Sequence, residues 1–149
     1  MTAYRTVVVG TDGSESSFAA VDRAAAVAAD SGAKLVLACA YYPADRKDVD
    51  AAVDALRDEA YQVVGSAPAD DSLSRAADRA AAAGVAAVER VAEVGPPVDT
   101  LLRIVHRHDA DLLVVGNRGL NSLAGRILGS VPSDAARRAP CDVLIVHTT

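Results

Sequence analysis

Aromatic residues are scarce in this chain of 149 residues: they make up 3% of it, and there is no Trp. The core must therefore be built from Val, Leu, Ile and Ala, and the aromatic platforms on which single-strand nucleic-acid binders stack bases are largely missing. Basic residues are also few: the chain has 15 Lys and Arg against 20 Asp and Glu, which gives a net charge of -5. A nucleic acid or an anionic membrane surface favours a basic partner, so neither is expected here.

Long apolar runs are absent as well. No run approaches the ~18 residues of a membrane-spanning helix, and no charged start leads into an apolar signal region. We therefore expect a cytoplasmic protein. The two cysteines, Cys39 and Cys141, lie within or beside apolar runs and form no CxxC pair. They are expected to be small buried residues, without a disulfide and without a bound metal.

The composition that is present indicates a globular α/β domain over residues 1–149. Apolar residues make up 51% of the chain and charged residues 23%. Short apolar runs that predict parallel strands occur at YRTVVVG, AKLVLACAYYP, VAAVERVAEVG, ADLLVVG and CDVLIV. The third run is the most polar, as an edge strand would be.

Helical spacing of apolar residues separates these runs. It occurs in SESSFAAVDRAAAVAADSG, DVDAAVDALRDEAY, SLSRAADRAAAAG, PPVDTLLRIVHRHD and SVPSDAARRA. The second of these helices, over about residues 48–63, either caps a ligand site or only covers the sheet. Asp70 and Asp71 are expected in a loop that caps the next helix. Alternating strands and helices predict one doubly wound parallel sheet with helices on both faces.

Two loops that follow strands carry the chemistry of a ligand site. One is GTDGS, Gly10 to Ser14, and the other is GNRGLNSLAGRILGS, Gly116 to Ser130. Glycines allow close backbone approach, and Gly129-Ser130 stands at a helix start, where unpaired N–H groups attract anions. No Gly-Lys-Ser/Thr follows and no GxGxxG is present, so neither the Walker loop nor the dinucleotide motif applies.

Several other polar side chains could have either a structural role or a functional one. Asp12 could contact a ligand or cap the helix after Ser14, and Arg118 could neutralise phosphate or point to solvent. His106 and His108 are expected on the solvated side of a helix near its C-terminal end, not as a metal pair. No nucleophile, base and orienting group form a catalytic set, so we predict no catalytic residue.

The spacing Gly116-x2-Gly119-x9-Gly129-Ser130 resembles the ATP-binding signature of the universal stress protein family. The opening VVVGTDGSESSFAAVDRA and the ending GSVPSDAARRAPCDVLIV resemble that family too, so the similarity covers essentially the whole chain. It implies an adenine nucleotide alpha hydrolase-like fold with strand order 3-2-1-4-5. The chain is further similar to a small single-domain mycobacterial type, some members of which bind cyclic AMP.

The resemblance also implies a set of binding residues. Asp12 would contact the ribose or phosphate region, and Ala40 would meet adenine through its backbone. The implied nucleotide-binding set is Gly10, Thr11, Asp12, Ala40, Val115, Gly116, Asn117, Arg118, Gly119, Gly129, Ser130 and Val131. Family members commonly dimerise through the last strand, and the charge-free VLIV edge here fits such a homodimer.

The expected function is binding of an adenine nucleotide, as a sensor or buffer in a stress response. Cyclic AMP is slightly favoured over ATP because it carries a single charge and needs no metal, whereas Mg²⁺ is expected only if the ligand is ATP. Two alternatives stay open. One is a slow ATP hydrolase, and the other is an interaction module with a vestigial pocket.

Overall fold

The computed structural model describes residues 2–43, 63–117 and 129–148. These residues contain five strands: β1 (Thr6–Gly10), β2 (Lys34–Tyr41), β3 (Val88–Val94), β4 (Leu112–Gly116) and β5 (Asp142–Val146). All neighbouring strands are parallel, and their order is β3-β2-β1-β4-β5. The predicted order and the edge position of the third strand are confirmed. The predicted helix over about 48–63, Arg118 and Gly119 lie outside the described residues.

In the described residues, four helices flank the sheet: α1 (Glu15–Ser31), α2 (Ser66–Ala82), α3 (Pro97–Arg107) and α4 (Ser130–Arg138). Ser14 begins α1 as its N-cap, since its side chain accepts the N–H of Ser17. Gly32 ends it in the left-handed conformation with φ 65°. Both boundaries agree with the sequence pattern.

The start of α2 corrects one prediction. Asp70 and Asp71 belong to the helix itself, which begins at Ser66, and they do not form a preceding loop. The break comes at Gly65, whose φ is 90°. Pro68 falls in the first turn, where its missing N–H costs no hydrogen bond, so the proline does not delay the helix.

The all-valine run of β1 divides the core into two layers. Val7 and Val9 face α1 and α2, whereas Val8 faces α3 and α4. All three are fully buried, as expected for a central strand covered on both sides. Phe18, the only Phe, fills the first layer, and the guanidinium carbons of Arg75 and Arg79 lie 5.1 and 4.9 Å from its ring centre.

His108 corrects a second prediction. It follows α3 as its C-cap, and only 16% of its side chain is exposed. Its Nε2 lies 2.6 Å from Oε2 of Glu89 on β3, and its Nδ1 lies 3.1 Å from the carbonyl oxygen of Ile104. The turn after α3 returns the ring towards the sheet, so His108 joins helix to strand, while His106 is exposed as predicted.

Both cysteines are free thiols. Cys39 is fully buried, and burial is the main cause that raises its pKa to about 12, with the charges of Asp12 and Asp70 adding to it. Cys141 is partly buried, and burial likewise raises its pKa.

Candidate functional site

A cleft opens where the two central strands part. The pairing of β1 with β4 ends at Val9 and Val114, whereas β1 stays paired with β2 through Gly10 and β4 with β5 through Gly116. This is the point at which the strand order reverses, and ligands of doubly wound sheets bind there. The cleft holds about 580 Å³ of space, its open mouth included. Its lining comprises Gly10, Thr11, Asp12, Ser16, Ser17, Ala38, Ala40, Val63, Pro97, Leu101, Val115, Gly116 and Val131.

The loop from β1 to α1 carries a buried carboxylate. Asp12 is 8% exposed, and its Oδ1 accepts the N–H of Ser14 at 2.9 Å. Gly13 between them takes φ 85°, which glycine adopts without strain. Asp12 therefore both shapes the loop before α1 and lines the cleft. It is the one charged side chain among the lining residues in the described ranges.

Two hydroxyl side chains hold this loop to α1. Oγ1 of Thr11 lies 2.9 Å from Oγ of Ser17, which in turn donates to the carbonyl of Ser14 at 2.8 Å. The N–H of Gly13 donates to Thr11 Oγ1 at 3.2 Å, and the N–H of Thr11 donates to the carbonyl of Ala38 on β2. The loop is thus fixed before any ligand binds.

The end of β4 contacts the C-terminal residues instead of opening fully to the cleft. Oδ1 of Asn117 accepts two hydrogen bonds from Thr148, one from its N–H at 2.8 Å and one from its hydroxyl at 2.9 Å. The Thr148 hydroxyl also lies 2.8 Å from the hydroxyl of Ser16. A Cβ added to Gly116 would lie 3.3 Å from Cγ2 of Thr148. The close approach at this glycine is therefore to Thr148, within the protein.

The N-terminus of α4 reaches the opposite side of the cleft. Its N-cap is Gly129, whose N–H donates to the carbonyl of Asn117 at 3.0 Å. Ser130 is the first helical residue, so glycine and not the serine caps the helix, and Val131 lines the cleft. The first-turn N–H groups of a helix carry partial positive charge and suit an anion.

Most of the predicted residues lie together. Those that line the cleft are Gly10, Thr11, Asp12, Ala40, Val115, Gly116 and Val131. Asn117, Gly129 and Ser130 lie beside it at the joints of β4 and α4. Six lining residues were not predicted from the sequence: Ser16, Ser17, Ala38, Val63, Pro97 and Leu101. Ala38 could have been found, because it lies two residues before Ala40 on β2 and therefore on the same face of the sheet.

Within the described ranges, no three His, Cys, Asp or Glu side chains converge in a way that could hold a metal ion. The described lining of the cleft combines hydroxyl side chains, one carboxylate and an apolar floor, next to the N-terminus of α4.

Comparison with known proteins agrees with this geometry. The model of the universal stress protein family matches residues 3–147. The chain is 56% identical to the universal stress protein Rv1636 of Mycobacterium tuberculosis strain H37Rv over 149 residues, the full length of both. It also matches a crystal structure of a universal stress protein in complex with cAMP, with a TM-score of 0.77 and 49% identity over 99% of this chain and 100% of that one.

More distant relatives share the fold. The universal stress protein UspA from Lactobacillus plantarum has a TM-score of 0.76 at 24% identity, covering 96% of this chain and 97% of its own. No helix in the described part of this chain is long and apolar enough to cross a membrane. The sheet order, the site at its reversal point and these matches together show that the chain belongs to the universal stress protein family.

Proposed function

We propose that this protein binds an adenine nucleotide in the cleft between β1 and β4, preferring cyclic AMP to ATP, and acts as a sensor or buffer of that ligand. The observation that carries the proposal is the charge of the cleft. One wall holds the carboxylate of Asp12, the other holds the N-terminus of α4, and no Lys or Arg occurs among the lining residues that the structure describes.

This charge distribution supports a ligand with a small phosphate charge. A cyclic monophosphate carries a single negative charge, which one helix N-terminus can bind through its main-chain N–H groups. A triphosphate places several anionic oxygens near Asp12 and would need Mg²⁺ or basic side chains to offset the repulsion. The relative that was crystallised with cAMP shares 49% of its sequence with this chain and supports the same choice.

The proposed roles follow from position. Asp12 receives the sugar, Ala40 offers its backbone to adenine at the end of β2, and Gly129, Ser130 and Val131 hold the phosphate. Gly10, Thr11, Val115 and Gly116 line the remaining walls. Asn117, Arg118 and Gly119 complete the proposed set, and Arg118, as one basic side chain, would match the single negative charge of a cyclic monophosphate.

Titration calorimetry tests the proposal. The protein is titrated with cyclic AMP, with ATP and with ATP plus Mg²⁺. We expect cyclic AMP to bind at least about tenfold more tightly than ATP, a difference of ~1.4 kcal/mol. Heat from neither nucleotide would rule the function out. Tighter binding of ATP, especially with Mg²⁺, would reverse the preference.

We propose further that two copies pair along β5. Among the strands that the structure describes, β5 has a neighbour on one side only, and its Val143–Val146 stretch has neither charge nor proline. Such an edge aggregates when it is left open, and pairing across a two-fold axis covers it. Sedimentation equilibrium at micromolar concentration should give a dimer, and a monomer would contradict the proposal.

We also place the protein in the cytoplasm, since its free thiols Cys39 and Cys141 fit a reducing compartment.

A further inference from the structure

Three hydroxyl side chains line one wall of the cleft: Thr11, Ser16 and Ser17. Each hydroxyl has one proton to donate and two lone pairs that accept. Whether a hydroxyl can donate to a ligand therefore depends on where its proton already goes. The hydrogen bonds around these residues determine that direction.

The proton of Ser16 goes to Thr148. The main-chain N–H of Thr148 can only donate, so the Asn117 side-chain atom 2.8 Å from it must be the oxygen, not the nitrogen. The Thr148 hydroxyl, 2.9 Å from the same oxygen, must donate to it as well. With that proton used, the contact of 2.8 Å between the hydroxyls of Ser16 and Thr148 requires Ser16 to be the donor.

The protons of Ser17 and Thr11 are also used within the protein. Ser17 donates to the carbonyl oxygen of Ser14 at 2.8 Å, because a carbonyl can only accept. The hydroxyl of Thr11, 2.9 Å from Ser17 Oγ, is then the donor of that pair. Together with the Asp12 carboxylate, the side chains of this wall offer a ligand only hydrogen-bond acceptors.

We propose that Thr148 is a positioning residue for ligand recognition. Its hydroxyl oxygen accepts the hydrogen bond that Ser16 can donate, so the Ser16 hydroxyl can only accept from a ligand and selects a ligand group that donates. The proposal rests on the proposed function for the identity of the ligand. In cyclic AMP, whose 3′-oxygen is esterified, the donating group is either the 2′-hydroxyl of the sugar or the 6-amino group of the base. Phosphate, which only accepts when ionised, is excluded from this wall and directed to α4.

The test compares ligands that lack one donor each. The parent and the Thr148→Val variant are titrated with cyclic AMP, with 2′-O-methyl cyclic AMP, in which an ether oxygen replaces the hydroxyl, and with cyclic IMP, in which a carbonyl oxygen replaces the amine. In the parent, one of the two analogues should bind roughly tenfold more weakly, because an acceptor is left unpaired. In Thr148→Val that penalty should fall to about threefold or less, since the freed Ser16 hydroxyl can turn and donate. Which analogue is affected identifies the donor.

Conservative and neighbouring variants separate recognition from stability. Thr148→Ser keeps the hydroxyl and should keep the penalty of the parent, whereas Ser16→Ala removes the acceptor and should abolish it. His147→Ala, at an exposed neighbouring position, should behave as the parent. Thr148→Val retains the main-chain bond to Asn117 and the methyl contact at Gly116, so its fold should persist. Equal penalties in the parent, Thr148→Val and Thr148→Ser would overturn the proposal.

A second measurement does not depend on any nucleotide. Neutron diffraction of the deuterated, ligand-free protein should show the Ser16 deuteron directed at Thr148 Oγ1 and the Thr148 deuteron directed at Asn117 Oδ1. A Thr148 deuteron directed at Ser16 would overturn the inferred polarity even if cyclic AMP binds. Absence of nucleotide binding with the expected deuterons would instead reject the proposed function and leave the polarity of the wall standing.

Discussion

Strands β1 and β4 are joined at one end of the sheet and separated at the other. At the amino end, the carboxylate of Asp111 accepts the N–H of Arg5 at 2.9 Å and the N–H of Thr6 at 2.9 Å, and the N–H of Asp111 donates back to the carbonyl of Thr6. At the carboxyl end, strand pairing stops at Val9 and Val114, and the polar groups beyond turn to α1 and to the C-terminal residues.

The difference shows how one pair of strands carries both stability and a binding site. The carboxylates at the two ends, Asp111 and Asp12, have different partners: Asp111 accepts from the neighbouring segment of the sheet, while Asp12 accepts from its own loop and also faces the cleft. Substitutions at the amino end of the pair, where the strands are joined (the closed end), should therefore lower stability and leave nucleotide binding unchanged. Substitutions at the carboxyl end, where they separate (the open end), should weaken nucleotide binding and leave stability unchanged.

The largest effect is expected from Asp111→Asn. It removes the charge and replaces one accepting oxygen with a donor that faces backbone N–H groups. Hydrogen bonds to a charged group contribute roughly 1.5–3 kcal/mol, so we expect unfolding in urea to show a loss of about 2 kcal/mol. The control Asp109→Asn makes the same change at an exposed position with φ 49°, which Asn tolerates. Equal losses in both variants, or a changed nucleotide affinity in Asp111→Asn, would break the comparison.

Asp12→Asn should have the next largest effect, and this effect should be on the affinity for cyclic AMP. The amide oxygen of the variant side chain can still accept the N–H of Ser14, so the conformation of the loop should be retained, but the charged acceptor for the sugar is lost. We expect about tenfold weaker binding of cyclic AMP by calorimetry, ~1.4 kcal/mol, with an unchanged denaturation midpoint. Asp30→Asn, on the exposed end of α1, controls for the change in net charge. Tighter binding by Asp12→Asn would mean that Asp12 faces the phosphate.

How much of this comparison the sequence could predict depends on the distance between partners. The Val7–Val9 run is a local signal, and it predicted a buried strand correctly. The contact of Asn117 with Thr148 joins residues 31 positions apart and depends on the register of β4 with β5. Asp70 and Asp71 were misassigned because Ser, Pro and Asp favour both loops and first turns of helices. His108 was misassigned because the pattern of α3 does not show where the turn after it goes.

The pH dependence of stability should be smaller than the loss in Asp111→Asn, since it reflects only the difference in proton affinity between folded and unfolded chains. Burial raises the pKa of Asp111, but the N–H groups of Thr6 and Arg5 outweigh it, so the pKa is lowered overall. A lowered carboxyl pKa stabilises the folded state above the unfolded value of about 3.9, and this contribution is lost as the pH falls through the folded value.

Urea midpoints measured between about pH 2 and pH 6 check this sign. The parent should lose stability towards the acid end, and Asp111→Asn should lose less over the same interval. Parallel profiles for the two proteins would show that Asp111 does not contribute to the acid sensitivity.

The smallest effect is expected from Tyr4→Phe, which tests how far the closed end extends along the sheet. The Tyr4 hydroxyl donates to Oδ2 of Asp142 at 2.9 Å, tying the segment before β1 to the start of β5. This hydrogen bond is the first cause that raises the pKa of Tyr4, with burial and the charge of Asp142 adding to it. Because the contact is exposed, its loss should change stability by no more than about 0.5 kcal/mol. In ultraviolet titration, Tyr4→Phe should remove from the curve of the parent a tyrosine that ionises above the ordinary range. A loss as large as that of Asp111→Asn would show that the edge strand, not the central pair, holds this end together.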